Sequence, residues 1–389
     1  MSETETVQGT RDRAGRVVVR RHAEVVAAAQ DAVLFSSAAS AHLQVPNGLD
    51  GAEHARARRL LDPFFAPDEL AWLAPVLDDL AAGLVDDVAG GPFDAVELGA
   101  RYAVRAQSAW LGWPADLEPE LLDWVAENRA ATRSGDRAWT GRVAARFDRI
   151  VRGLLDARRA GSTAGPVPGA PGARSTAGPV RGPAAAGSDD GSGPDVTARL
   201  LAQHDDGRPA WTDEELVSIL RNWTGGDLSS LALCAGVVVH WLAEHPGHQH
   251  HLRDAPDPAL DAAVDEILRL DDPFVSNRRV ATRDTVVAGC PVAAGEQVVL
   301  DWREANRDPE AFDDPAAYDP EGHADRNLVY GTGPHVCPGR PLATLELRVL
   351  VRRLLRAGTV VHDAARSAER ETAPVAGFRT VPVRVVAAP

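Results

Sequence analysis

The sequence predicts a mainly α fold with small peripheral β-sheets, and three observations carry that expectation. Apolar residues recur at helical spacing over long stretches of the chain. Strand-like runs are few, short and scattered among those stretches. The chain has 389 residues, 44% of them hydrophobic, enough to bury a large core.

In chain order the helical pattern begins at Glu24–Ala29, Ala55–Leu61 and Asp68–Val88. It continues through Glu97–Leu111, Pro119–Ala131, Gly141–Ala160, the long Asp213–Glu244 and Pro258–Leu270. It closes with Pro341–Arg356, amphipathic from Leu342 onward. Strands are expected at Arg16–Val19, Val280–Pro291, Gln297–Asp301 and Val381–Val386. Between helical segments, 161–194 reads GSTAGPVPGAPGARSTAGPVRGPAAAGSDDGSGP, with STAGPV starting at Ser162 and again at Ser175. Gly/Pro/Ser/Ala sequence of this kind cannot bury a core, so a disordered insert loop within one domain spanning 1–389 is expected.

Composition narrows the function. The net charge of −15 disfavours nucleic acid and anionic membranes as partners. The start, MSETETVQGTRDR, has no apolar segment, and the apolar run Leu231–Val239 is too short to span a bilayer. A cytoplasmic protein is therefore expected. Cys234, Cys290 and Cys337 are odd in number and widely spaced, which argues against a disulfide framework or a zinc ribbon. The histidines of HWLAEHPGHQHHLR (His240, His245, His248, His250, His251) lack convergent spacing, so a metal reading of them is set aside.

One cysteine stands in unusual company, in YGTGPHVCPGRPLATLELRVLVRRLL from Tyr330 to Leu355. A metal-bound thiolate needs a lowered pKa and nearby donors, and a helix N-terminus supplies both. Gly331, Gly333 and Gly339 permit a tight turn and close backbone approach to a flat ligand.

This segment resembles the signature of the cytochrome P450 family, Phe-x-x-Gly-x-x-x-Cys-x-Gly. Tyr330 stands at the phenylalanine, followed by Gly333, Cys337 and Gly339. The resemblance implies that fold, here with the usual first N-terminal helix missing, and a haem b whose iron takes Cys337 as axial ligand. Glu266 and Arg269 in EILR resemble the family's buried Glu-x-x-Arg pair. Its usual third residue falls at Gly322, with His323 beside it, so the triad is expected to be incomplete or altered. His54 and Arg58 in EHARAR, Arg279 in RRVATRD and His335 match the residues that hold haem propionates.

The match weakens on the helix that the family uses for oxygen activation, NWTGGDLSSLALCAGVVVHWLAEHP from Asn222. If Asp227 is the acid, Leu228 occupies the place of the expected alcohol. Asp227 with Ser230, three residues apart, makes the preferred rearranged proton relay, and Ser229 is the other serine in reach. The alternative for Asp227 is that it bends the helix or binds substrate, and Cys234 reads as core packing. The resemblance places substrate against Phe35–Val45, Asn222, Trp223, Phe274, Val275, Asn277 and Val375–Phe378, including Phe378. A largely apolar ligand with a polar handle follows.

With no flavin or nicotinamide fingerprint in the chain, the resemblance implies electrons from a separate ferredoxin and ferredoxin reductase. Arg56, Arg59, Arg340, Arg348 and Arg352 are candidates for a basic docking patch. A monomer is expected. The leading reading is a monooxygenase that inserts one oxygen atom from dioxygen into a small organic substrate. The rearranged serines motivate a second: oxidative C–C, C–O or C–N bond formation, nitrene-type amination or peroxide-driven oxidation. A non-catalytic haem sensor or docking protein is the third.

Overall fold

The computed structural model describes residues 10–161 and 195–387; apart from Gly161, the expected insert at 161–194 lies outside the described residues. Helices α1 (His22–Gln30), α2 (Gly51–Leu61), α3 (Pro67–Leu70) and α4 (Leu73–Val88) come first. Next are α5 (Ala95–Leu111), α6 (Glu118–Ser134), α7 (Arg137–Arg159) and α8 (Val196–Leu201). Then follow α9 (Asp213–Glu244), α10 (Pro246–Arg253), α11 (Asp257–Leu270), α12 (Trp302–Ala305) and α13 (Arg340–Ala357).

The strands are short. The first half of the chain holds β1 (Thr10–Arg11), β2 (Val17–Val19), β3 (Phe35–Ser36) and β4 (Phe93–Asp94). Beyond them lie β5 (His204–Asp205), β6 (Arg208–Pro209), β7 (Ser276–Ala281), β8 (Thr285–Val287), β9 (Cys290–Val292) and β10 (Gln297–Asp301). Last come β11 (Thr359–His362), β12 (Glu369–Arg370), β13 (Phe378–Thr380) and β14 (Pro382–Val386). The largest sheet runs β1-β2-β10-β7-β3, antiparallel except for the β2–β10 pair. A second sheet, β11-β14-β4, joins chain segments far apart in sequence.

Helix boundaries follow local chemistry. Asp136 accepts from the backbone N–H groups of Ala138 and Trp139, so α7 starts four residues before the expected Gly141. The segment expected as one helix over Asp68–Val88 divides at Ala71–Trp72 into α3 and α4. Val280–Pro291 is not one strand but the end of β7 plus the hairpin β8–β9, whose turn holds Ala288 and Gly289 at φ 48° and 76°.

Helix α9 begins with a reciprocal cap in which Thr212 Oγ1 accepts from Glu215 N and the Glu215 carboxylate accepts from Thr212 N. By length and apolarity α9 could cross a membrane, but 65% of its most apolar window is buried inside the fold. It crosses α5 at close range. A Cβ on Gly99 would come 2.8 Å from Ala235 Cβ, and one on Gly236 would come 2.7 Å from Val96 Cγ2. Hydrogen in place of a side chain at these two positions sets α9 deep against α5.

Candidate functional site

Cys337 sits on the loop that delivers the chain into α13, whose N-cap is Gly339. Its N–H donates to the Tyr330 carbonyl at 2.9 Å, which folds the loop back on itself. Gly331 and Gly333 adopt φ of 70° and 75°, where L side chains are strained. A Cβ on Gly333 would also meet the Ala29 carbonyl at 2.7 Å, so this glycine docks the loop onto α1. The thiol is exposed, at the positive end of an 18-residue helix that favours a thiolate.

Tyr330 is half-buried, with its hydroxyl buried beside Asp265 and making no well-formed hydrogen bond among the described residues. Burial holds its pKa well above the ordinary phenol value. The Arg340 guanidinium covers the ring at 5.0 Å.

The expected cationic residues converge next to this loop. The His54 and His335 rings lie 4.1 Å apart. Arg279 on β7 is 6% exposed, and its guanidinium donates to the neighbouring Arg278 carbonyl. Burial lowers the pKa of Arg279 and of His54, the latter also feeling Arg58. Burial, then His54 and Arg279, push His335 down to about 4. Asp50 Oδ1 lies 3.4 Å from His335 Nε2, too poorly aligned to hydrogen-bond it. The cluster is therefore short of negative charge, and a cofactor bearing carboxylates fits it. Arg58 also braces the loop itself, since its Nη1 donates to the Pro334 and Val336 carbonyls at 2.9 and 3.0 Å and so ties α2 to the cysteine loop.

The buried ion pair is completed by an altered third member, the candidate His323 beside Gly322. Arg269 makes two bonds to Glu266, at 2.7 and 2.8 Å, and His323 Nδ1 lies 2.8 Å from Glu266 Oε1. Arg269 also donates to the carbonyls of Asn306, Pro315 and Ala317, so the pair organises the irregular chain before the cysteine loop. The third member stands one position beyond Gly322, at the His323 that the sequence offered for it.

On α9, Ser229 Oγ is buried without a hydrogen-bond partner among the described residues, which distinguishes it from the expected Ser230. Asp227 lies on the helix, but its side chain falls outside the described residues. Leu228, at the expected alcohol position, is fully buried in the core.

The residues expected to meet substrate are not equivalent. Asn222 Nδ2 donates to the Val45 carbonyl at 2.9 Å, joining α9 to the Phe35–Val45 segment. Trp223 packs into an aromatic cluster with Trp110, Phe64 and Phe65. Phe274 packs on the core, the Val275 carbonyl accepts from Trp302 N, and exposed Asn277 accepts from Trp302 Nε1 at 2.7 Å. Phe378 lies between His240 and the Arg370 guanidinium, 4.2 and 4.0 Å away. Arg129 on α6 went unnoticed in the sequence: its buried Nε and Nη2 lack partners among the described residues. One arginine among so many carries no sequence signal.

The expected basic patch is also corrected. Arg56 and Arg59 pair with Asp205, Arg340 with Asp265, Arg348 with Asp261, and Arg352 with Asp257.

Comparison with known proteins gives a consistent picture. The family model described as "Cytochrome P450" matches residues 188–373. Erythromycin C-12 hydroxylase of Saccharopolyspora erythraea is 30% identical over 393 residues, covering 97% of this chain and 91% of that protein. Nocardicin C N-oxygenase of Nocardia uniformis is 30% identical over 356 residues, covering 87% and 81%. The structure of a mutant of P450 EryK in complex with erythromycin B superposes with a TM-score of 0.81 at 27% identity, covering 99% of this chain and 94% of that one.

Proposed function

Because this chain belongs to the cytochrome P450 family of haem b oxidoreductases, we propose that it is a monooxygenase inserting one oxygen atom into a secondary metabolite. The observation that carries this reading is the pairing of an exposed Cys337 at the start of α13 with the anion-seeking cluster of His54, His335 and Arg279. Haem bound there would be held through the Cys337 sulfur and would supply the activation of dioxygen. The N-terminal end of the α13 dipole faces the segment that carries the Cys337 sulfur. His54, His335 and Arg279 hold the propionates, while Arg58 fixes the loop that carries the ligand. Tyr330 and Gly339 shape the sulfur's surroundings. Ser229 Oγ, with Ser230 and Asp227 on the same stretch of α9, moves protons toward the oxygen-binding side.

The substrate is a largely apolar molecule lying against Asn222, Phe274 and Val275, while Phe378, covered by His240 and Arg370, is withdrawn from the expected set. Arg129 is a candidate polar handle for an acceptor group on it. Hydroxylation and nitrogen oxidation both fall within this reading, since one relative is named for each. Electrons come from a separate ferredoxin and its reductase, and the protein acts as a monomeric single domain.

The test is the reduced, carbon monoxide difference spectrum. A band at about 450 nm in the wild type, absent from Cys337→Ala, is the expected result. A band at about 420 nm in fresh protein, or no haem at all, would remove Cys337 as the ligand.

A further inference from the structure

We propose that His240, Glu244 and His362 form a second metal site, of zinc type, that ties the C-terminal turns of α9 to the end of β11. His240 and Glu244 lie on successive turns of α9, and His240 Nδ1 is 3.5 Å from Glu244 Oε2. His362 is the last residue of β11, far away in sequence, and its ring centroid is 5.0 Å from that of His240. One ligand atom from each of the three residues falls within 4.8 Å of the others. A tetrahedral zinc with bonds of about 2.0–2.2 Å needs its ligands about 3.3 Å apart, a separation that small side-chain rotations reach.

The donor set is two imidazoles and one carboxylate, which zinc accepts with water in the fourth position. Part of the site is already ordered. The His240 ring stacks on Phe378 at 4.2 Å and 26°, which limits its rotation. Arg370 is the nearby cation that opposes the site, and it is engaged with Asp271. Spacing within HWLAEHPGHQHHLR could not show this arrangement, because the third ligand comes from a strand beyond α13.

Occupancy would join the helix that carries Ser229 to the sheet beside the β12–β13 hairpin. Its test is zinc titration of the haem-loaded, chelator-washed protein, with cobalt(II) absorption as a second probe. One zinc per chain is expected, with a tetrahedral cobalt spectrum and a rise in melting temperature on zinc addition. His362→Ala and Glu244→Gln should each weaken zinc at least about tenfold and abolish that rise. They should leave haem content and the carbon monoxide band unchanged, which separates this site from the Cys337 assignment. No stoichiometric binding would overturn the proposal. Binding that survives both substitutions would also overturn it, and would move the metal to His245, His248, His250 or His251.

Discussion

Replacing Ser229 with alanine removes a buried hydroxyl that has no partner among the described residues, so the fold should not suffer from it. The expected outcome is unchanged stability together with a larger share of reducing equivalents released as hydrogen peroxide, about tenfold or more in the ratio of peroxide to product. Ser230→Ala should shift that ratio less. Peroxide yield and product formed per electron pair measure both. Equal effects from the two serines, or none from Ser229, would return the relay to Asp227 and Ser230. The distinction rests on the burial of the Ser229 hydroxyl, and helix spacing alone does not reveal it.

Between the elements, the ion pair on α11 and the buried carboxylate that follows it support the cysteine loop. Arg269 is fully buried, so Glu266→Ala leaves its charge without a carboxylate and should cost about 3–5 kcal/mol in urea unfolding. His323→Gln keeps a donor for Glu266 and should cost about 1 kcal/mol. Asp272 accepts from Phe274 N and Asn306 Nδ2, but burial outweighs these bonds and pushes its pKa up to about 8. A carboxyl raised in this way stabilises the fold most below its unfolded pKa of about 3.9, and that contribution is lost as pH rises toward 8. The stability of wild type relative to Asp272→Asn should therefore fall between pH 4 and 8, by up to about 1.4 kcal/mol per unit. A flat difference would show that Asp272 is not holding its proton. The elements themselves were largely legible. Helix α9 announces itself by its long apolar pattern, and α13 by its amphipathic stripe. What escaped depends on distant partners: β11 exists because β14 pairs with it, and the candidate His323 reaches Glu266 only because the chain before the cysteine loop folds back.

Across the whole molecule, the net charge of −15 sets how an acidic electron donor can approach. The turn before α13 was legible because Gly331, Gly333 and Gly339 lie together in sequence, whereas the docking face is a sum of pairs that no local pattern contains. The five arginines expected to form that face each meet a carboxylate of this chain. Paired charges steer weakly beyond the Debye length of about 8 Å at physiological salt. On α2, one side turns His54 and Arg58 inward, while Arg56 and Arg59 share Asp205 outside. Asp205→Asn unmasks two cations without touching the inward side. If the outer side of α2 meets an acidic ferredoxin, this change should speed reduction several-fold at low ionic strength. It should also steepen the decline with added salt, as read by stopped-flow formation of the carbon monoxide complex. An unchanged rate at low salt would move the docking face away from α2, toward the surface of α13 around Arg348 and Arg352.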